Sequence, residues 1–319
     1  MTTLIHSHET AMKLSSSASD ATNSSRWHAY VELTKLRISV MVLITFAAAA
    51  VLAAHEFSVS IPLGLMLGAL VGMLLIASSG NAMNMYLERY SDFLMPRTAQ
   101  RPLPAQKLSA TEVVTFAAIT FSVGIVVLFQ TVNWQTAVCG IMNWILYSFI
   151  YTPLKRKHWS NTEVGAVAGA MPVLMGSLAT TESVGLICWS LFGVLFFWQF
   201  PHFMAIAWKY RDQYRAGGLQ MLTVTDPTGW QAGRKSVVTA VLLIVVSLLP
   251  LFRCPLGWQA VFLAITVLAL GGYYLKVSWL FWRDRNLQTA RTLMLVSLLV
   301  LPLYMLVLLI ACLSPASTT

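Results

Sequence analysis

Of 319 residues, 57% are apolar or aromatic and only 10% are charged, against about 25% charged in a soluble domain. The chain has too few charges to wet a globular surface and too much apolar content to be disordered. Its 21 Lys and Arg against 12 Asp and Glu give a formal net charge of +9, but these cations lie scattered between apolar runs, so no nucleic acid partner is expected.

Residues 1–28 are rich in Ser and Thr, lack the apolar core of a signal peptide and carry Glu9 and Asp20, which argues against an organellar transit signal. They read as a disordered cytoplasmic tail. A bilayer core of about 30 Å takes about 20 apolar residues in a helix. Nine such runs follow, at 38–56, 61–84, 111–131, 134–153, 162–181, 184–208, 236–252, 256–275 and 291–313. The expected fold is all-α: a polytopic membrane protein with nine transmembrane helices in one domain over 29–314, and a short outer-side tail at 315–319. Gly64, Gly68 and Gly72 in the second run, and Gly165 and Gly169 in the fifth, are spaced to let helix backbones approach closely in lipid.

The charges sort by connection. Every Lys and Arg except Arg253 lies before the first run or in the 2–3, 4–5, 6–7 and 8–9 connections. By the positive-inside rule the N-terminus is cytoplasmic and, after nine crossings, the C-terminus is outside. Cys139, Cys188, Cys254 and Cys312 stand alone, without a CxxC pair, and indicate neither a zinc site nor a disulfide framework.

The two long cytoplasmic connections gather the chemistry-bearing residues. Asn84, Glu88 and Asp92 are spaced i, i+4, i+8, which lines them on one helix face. An amide and two carboxylates suit Mg²⁺, which takes one or two carboxylates and completes its shell with water and phosphate. The competing reading is an interfacial cap, with the acids paired to Arg89 and Arg97. Arg97 and Arg101 follow in a Pro-constrained loop, and the guanidinium fork matches phosphate oxygens. Tyr151 and Lys155 lie four apart at the end of the fourth run, where Pro153 is expected to end the helix between them. Lys35 and Arg37 enter the first run, and Asp212 lies among cations in the 6–7 connection. Acids for a divalent ion beside cations for an anion describe a diphosphate site. In the sixth run, Pro201 is expected to kink the helix. Gln199 and His202 are costly in lipid unless they face the bundle interior, either as a helix–helix contact or as ligands to a buried substrate. A secondary transporter would instead carry its charges near the bilayer midplane.

These residues resemble a known family. The carrying pieces are Thr34-Lys35-Leu36-Arg37; Asn84…Glu88…Asp92 with Met95, Arg97-Thr98 and Arg101-Pro102-Leu103-Pro104; and Tyr151-Thr152 with Lys155-Arg156. Further along come Asn161…Gly165…Ala168-Gly169-Ala170…Pro172, the string Trp198-Gln199-Phe200-Pro201-His202-Phe203, and Asp212…Tyr214…Met221-Leu222. From the first helix to the start of the seventh, the chain resembles the UbiA-type intramembrane prenyltransferases. The MxRTxxRPLP and WQxPHF strings are similar to the branch that acts on haem.

The resemblance implies transfer of a farnesyl group from farnesyl diphosphate to a vinyl group of haem b, with addition of water, to give haem O for terminal oxidases. It implies Mg²⁺ on Glu88, Asp92 and Asp212, with Asn84, Tyr151 and Lys155 completing the catalytic set. Lys35, Arg37, Arg97 and Arg101 would bind the diphosphate, and Gln199 and His202 the acceptor. It also implies the bacterial inner membrane as location and a partner that receives the haem during oxidase assembly. An aromatic or quinone-precursor acceptor is the alternative. The chain departs from that branch in having Glu88 and Tyr90 where Asp is usual, Leu36 where Pro is common, and Gln220 and Thr223 in place of prolines around Met221-Leu222.

Overall fold

The computed structural model describes residues 26–253 and 257–314. Residues 1–25 of the tail expected over 1–28, and the outer tail over 315–319, lie outside the described residues. Among the described residues, nine helices are long and apolar enough to cross a membrane: α1 Arg26–Glu56, α2 Leu63–Phe93, α3 Ala110–Thr131, α4 Trp134–Leu154, α5 Asn161–Thr181, α6 Leu186–Lys209, α7 Trp230–Phe252, α8 Trp258–Asp284 and α9 Leu287–Leu313. Two short helices, Arg211–Ala216 and Leu222–Thr225, lie in the α6–α7 connection. The described residues contain no strand.

The apolar runs locate each span but not its ends. Hydropathy marks the part of a helix that must sit in hydrocarbon, whereas backbone hydrogen bonding continues into water. Thus α1 begins at Arg26, so residues 26–28 belong to the bundle and not to the tail. At 31 residues, α2 is about 46 Å long, longer than the hydrocarbon core, and its surplus turns carry Glu88 and Asp92. The third helix starts on a capping box, in which Ser109 and Glu112 satisfy each other's backbone N–H groups. Glu112 also accepts from Arg26 and from Tyr30 of α1.

Two apolar cores share a wall. One is built from α5 to α9 with Ala48, Ala49, Leu52 and Ala53 of α1. The other joins α2, α3 and α4 to Phe46 of α1 and to Met175 and Ala179 of α5. The shared wall is tight at Gly176, where a Cβ would stand 3.1 Å from the backbone nitrogen of Ala50. Gly72 and Gly124 likewise bring α2 and α3 together, as the small-residue spacing suggests. Gly64 does not: the space beside it is open. Gly165 and Gly169 make room for side chains, the ring of Tyr151 and the amide of Gln199.

Contacts between helix ends confirm the alternation of nine passes. At one end, Glu56 accepts from the backbone N–H groups of Leu186 (2.9 Å) and Ile187 (3.1 Å) and lies 3.9 Å from Arg253. A carboxylate at the N-terminus of α6 complements the helix dipole. Gln135 pairs with Glu182 at the same end. At the other end, Lys235 of α7 pairs with Glu163 of α5. There the α6–α7 connection is stitched to the α4–α5 connection. Gln220 N donates to the Lys155 carbonyl (2.6 Å), and Asn161 donates to the Gln220 carbonyl (3.1 Å).

Candidate functional site

The site forms where the surplus turns of α2 meet the ends of α1 and α4 and the loop after α2. Asn84, Glu88 and Asp92 lie on one helix face and all are buried, Asp92 completely. Burying two carboxylates is costly unless each has a charged partner, and both have one. Lys155 Nζ donates to Glu88 Oε1 at 2.7 Å. Arg101 donates to Asp92 Oδ2 at 2.7 Å and lies 3.9 Å from Glu88 Oε2. Lys35 Nζ donates to Asn84 Oδ1 at 2.9 Å, and Asn84 Nδ2 donates to Thr152 Oγ1 at 3.1 Å. The cluster therefore unites residues more than a hundred positions apart. Arg101 and Lys155 balance the two carboxylates, and Lys35 adds a third amine at the same face.

The acids do not pair with Arg89 and Arg97, as the interfacial-cap reading expects, but with Arg101 and Lys155. Arg89 stacks on Tyr86 and Tyr90, away from the acids. Arg97 lies over the Tyr210 ring and donates to the Tyr214 hydroxyl at 3.4 Å. Tyr90, which stands where the resemblance leads one to expect a carboxylate, is 66% exposed. It lies two positions from Glu88, about 200° around the helix, so the acid face is complete without it.

Tyr151 and Lys155 come together where the helix ends between them, as expected, at Leu154, one residue after Pro153. Just upstream, residues Leu146–Tyr151 form a π-helical segment, and Thr152 Oγ1 donates back to the Tyr147 carbonyl at 2.8 Å. The widened turn carries the backbone past a residue that lacks an N–H, and such segments recur at functional sites. Lys155 Nζ then lies 4.4 Å from the centre of the Tyr151 ring. Burial pulls the Lys155 pKa down, but the Glu88 charge and the neighbouring phenols outweigh it. The net shift is upward, and the ammonium is held protonated.

Lys35 reaches Asn84 from a break in α1. Its backbone is left-handed (φ 47°), a conformation that costs a side-chain-bearing residue about 1–2 kcal/mol. Strain of this kind clusters at ligand sites.

Three residues expected to hold the metal or the diphosphate stand apart. Arg37 is exposed and outside this network. Asp212 is also exposed (80% for the side chain) and pairs with Arg211 and Arg215. Tyr210 and Tyr214 turn toward Arg97, which leaves Asp212, two residues from each, facing the other way. The expected trio of metal-binding carboxylates is thus reduced here to Glu88 and Asp92. Among the described residues, no group of three His, Cys, Asp or Glu is placed to hold a metal ion. Arg97, on the tyrosines, neighbours the cluster without touching its acids.

The WQxPHF string divides its polar residues between two neighbours. The sixth helix runs unbroken through Pro201 from Leu186 to Lys209. Gln199 donates to the carbonyls of Ala166 (3.0 Å) and Leu195 (3.1 Å). His202 stacks on Trp198, with centroids 4.9 Å apart, and its Nδ1 lies 2.7 Å from Ser297 Oγ of α9. The Ser297 hydroxyl already donates to the Met294 carbonyl at 2.6 Å. Nδ1 must therefore carry the proton, which leaves Nε2 as a free acceptor. Gln199 is a helix–helix contact, and His202 is one through a single ring nitrogen.

Asn84, Glu88, Asp92, Arg101, Lys35, Tyr151 and Lys155 were legible as candidates in the sequence and meet in space. Thr152, which bridges to Asn84, gave no signal beyond standing next to Tyr151.

Residues 41–314 match the model of the UbiA prenyltransferase family. The chain is 38% identical to a protoheme IX farnesyltransferase of Solibacter usitatus over 86% of its length and 95% of that protein. It is 39% identical to one of Rhodopirellula baltica, over 87% and 97% respectively. Among solved structures, it superposes on a digeranylgeranylglyceryl phosphate synthase with a TM-score of 0.74, at 16% identity, covering 90% of this chain and 98% of that one. A UbiA homolog from Archaeoglobus fulgidus bound to DMAPP and Mg²⁺ gives a TM-score of 0.68 at 13% identity, covering 90% and 99%.

Proposed function

As this chain belongs to the UbiA prenyltransferase family, we propose that it transfers the farnesyl group of farnesyl diphosphate to a vinyl group of haem b, giving haem O for terminal oxidases. The observation that carries the acceptor is the close likeness, over nearly the whole chain, to two proteins named protoheme IX farnesyltransferase. The donor is supported by the chemistry of the cluster itself. Lys35, Lys155 and Arg101 converge on one face, where they can stabilise the charge that collects on a departing diphosphate. Preorganised electrostatics of this kind is usually the largest catalytic term.

A divalent cation fits the donors present. Asp92 Oδ1 is buried and has no hydrogen-bond partner, an acceptor lacking only a cation. Glu88 and Asp92 would hold Mg²⁺, with Asn84 orienting the first shell, and water and phosphate oxygens would complete it. When bound, the ion supplies charge neutralisation to the diphosphate. Asp212 is tied only by exposed pairs, which are weak, so it is available to the ligand when the loop meets it. Arg97 and Arg37 are placed to attract the anion from the surface.

The reaction breaks the bond between farnesyl C1 and the diphosphate oxygen and forms a bond between C1 and the terminal vinyl carbon. Water adds to the neighbouring carbon and loses its proton, which yields a hydroxyethylfarnesyl side chain and diphosphate. The allylic cation must meet the vinyl group before it meets water, so the apolar walls of α4, α5 and α6 act by exclusion. His202 Nε2, with its lone pair free, is the candidate contact to the acceptor.

The active unit spans residues 26–314 in a bacterial inner membrane, with the cluster and the N-terminus cytoplasmic and the C-terminus outside. A haem-receiving protein of oxidase assembly would take the product.

The test is to supply membranes containing the protein with farnesyl diphosphate and haem b and to look for farnesylated haem by mass spectrometry. Its formation supports the assignment. Its absence, with the farnesyl group transferred to an aromatic or quinone-precursor acceptor and diphosphate released, would move the protein to another branch of the family.

A further inference from the structure

Where α1 breaks at Lys35, the carbonyl of Thr34 loses the partner it would have in a continuous helix. The N–H of Ile38, which would serve it there, goes to the Lys35 carbonyl instead (2.8 Å), which also takes its regular bond from Ser39 (3.1 Å). The stranded carbonyl lies inside the bundle, where an unmade hydrogen bond is expensive. Two side chains take it up. Ser39 Oγ donates to the Thr34 carbonyl at 2.7 Å, and Asn81 Nδ2 donates to it at 3.0 Å. Asn81 Nδ2 also lies 3.3 Å from Ser39 Oγ, which closes the three groups into a clamp. Both Asn81 and Ser39 are buried.

Asn81 is three residues before Asn84, on the same face of α2. One stripe of that helix therefore holds the backbone of the break through Asn81 and receives the Lys35 ammonium through Asn84. We propose that Asn81, with Ser39, is a positioning residue for the diphosphate site. It stabilises the left-handed turn that aims Lys35 into the cation cluster. This rests on the diphosphate reading given above. In the absence of the clamp, the chain from Thr34 to Ser39 can relax toward regular helix, which rotates Lys35 off the acid face.

The experiment uses full-length protein in nanodiscs. It measures equilibrium binding of tritiated farnesyl diphosphate, alongside steady-state turnover with haem b, for Asn81→Ala, Ser39→Ala, Lys35→Ala and the doubles with Lys35→Ala. Misplacing a binding group by about an ångström can cost up to about a hundredfold. Asn81→Ala is expected to weaken farnesyl diphosphate binding by about tenfold or more, to raise its KM and to leave the KM for haem b unchanged. In the Lys35→Ala background the same substitution is expected to change nothing. Ser39→Ala removes less and keeps the question open to test if Asn81→Ala does not fold. A loss that persists at full size in the Lys35→Ala background, or a rise in both KM values, would show a general packing role and overturn the proposal. If Lys35→Ala itself leaves farnesyl diphosphate binding intact, the diphosphate reading of the cluster fails first.

Discussion

Asp92 has two oxygens in unlike circumstances, one on Arg101 and one buried with no partner. Asp92→Asn keeps the shape of the residue but removes the charge from both. Turnover is expected to fall by at least a hundredfold, the scale of losing a preorganised electrostatic group, with the protein still folded by size-exclusion profile. Near-normal activity would remove Asp92 from the site. Lys155 offers a second test. Its upward shift means that its stabilising contribution is complete below the ordinary lysine range and is lost only as pH climbs through the raised value. Glu88→Gln takes away the main upward influence and leaves burial, which lowers the pKa. Farnesyl diphosphate binding should then fall off at a lower pH than in the unaltered protein. An unshifted alkaline limb would separate Lys155 from the bound anion. Spacing alone gave the face of Asn84, Glu88 and Asp92. It could not give their counter-ions, because Lys155 and Arg101 are chosen by how four helix ends meet.

At the scale of the helix, α4 and α5 show how local irregularity positions chemistry. The π-helical segment Leu146–Tyr151 adds room within a turn and delivers Tyr151 against Gly165, where a Cβ would meet the ring at 3.0 Å or less. Gly165→Ala should therefore push the Tyr151 ring, and with it Lys155, off its present line. The expected result is a several-fold rise in the KM for farnesyl diphosphate, with a drop in melting temperature matching about 1–3 kcal/mol of overpacking. No change in either would show that the ring has space elsewhere. Hydropathy finds every span in this chain, since lipid demands about 20 apolar residues at each crossing. It is blind to the polar turns beyond the hydrocarbon. That is why α1 starts twelve residues earlier than its apolar run, at Arg26 instead of residue 38, and why the acid-bearing end of α2 had to be read from spacing. The π turn, too, is invisible to hydropathy, although Pro153 rightly marks the end of the helix that carries it.

For the molecule as a whole, the one-sided charge distribution was the most legible feature, and helix-end contacts confirm that its two ends are distinct. A phosphatase reporter fused after residue 319 should be active and one fused in the 96–106 loop silent, as the proposed orientation requires; the reverse pattern would invert it. The pair formed by Glu56 and Arg253 has a consequence for that orientation. Among the described residues, Glu56 and Glu182 are the only acids at the end of the bundle opposite the cluster, and Arg253 is the single cation there. That cation is spent on Glu56, so the end as a whole is slightly negative while the other carries all the positive excess. In an energised membrane, negative within, each elementary charge is worth about 2.3 kcal/mol per 100 mV. A membrane potential of that sign thus pulls on this protein in the direction in which it is proposed to sit, and would help to hold it that way round.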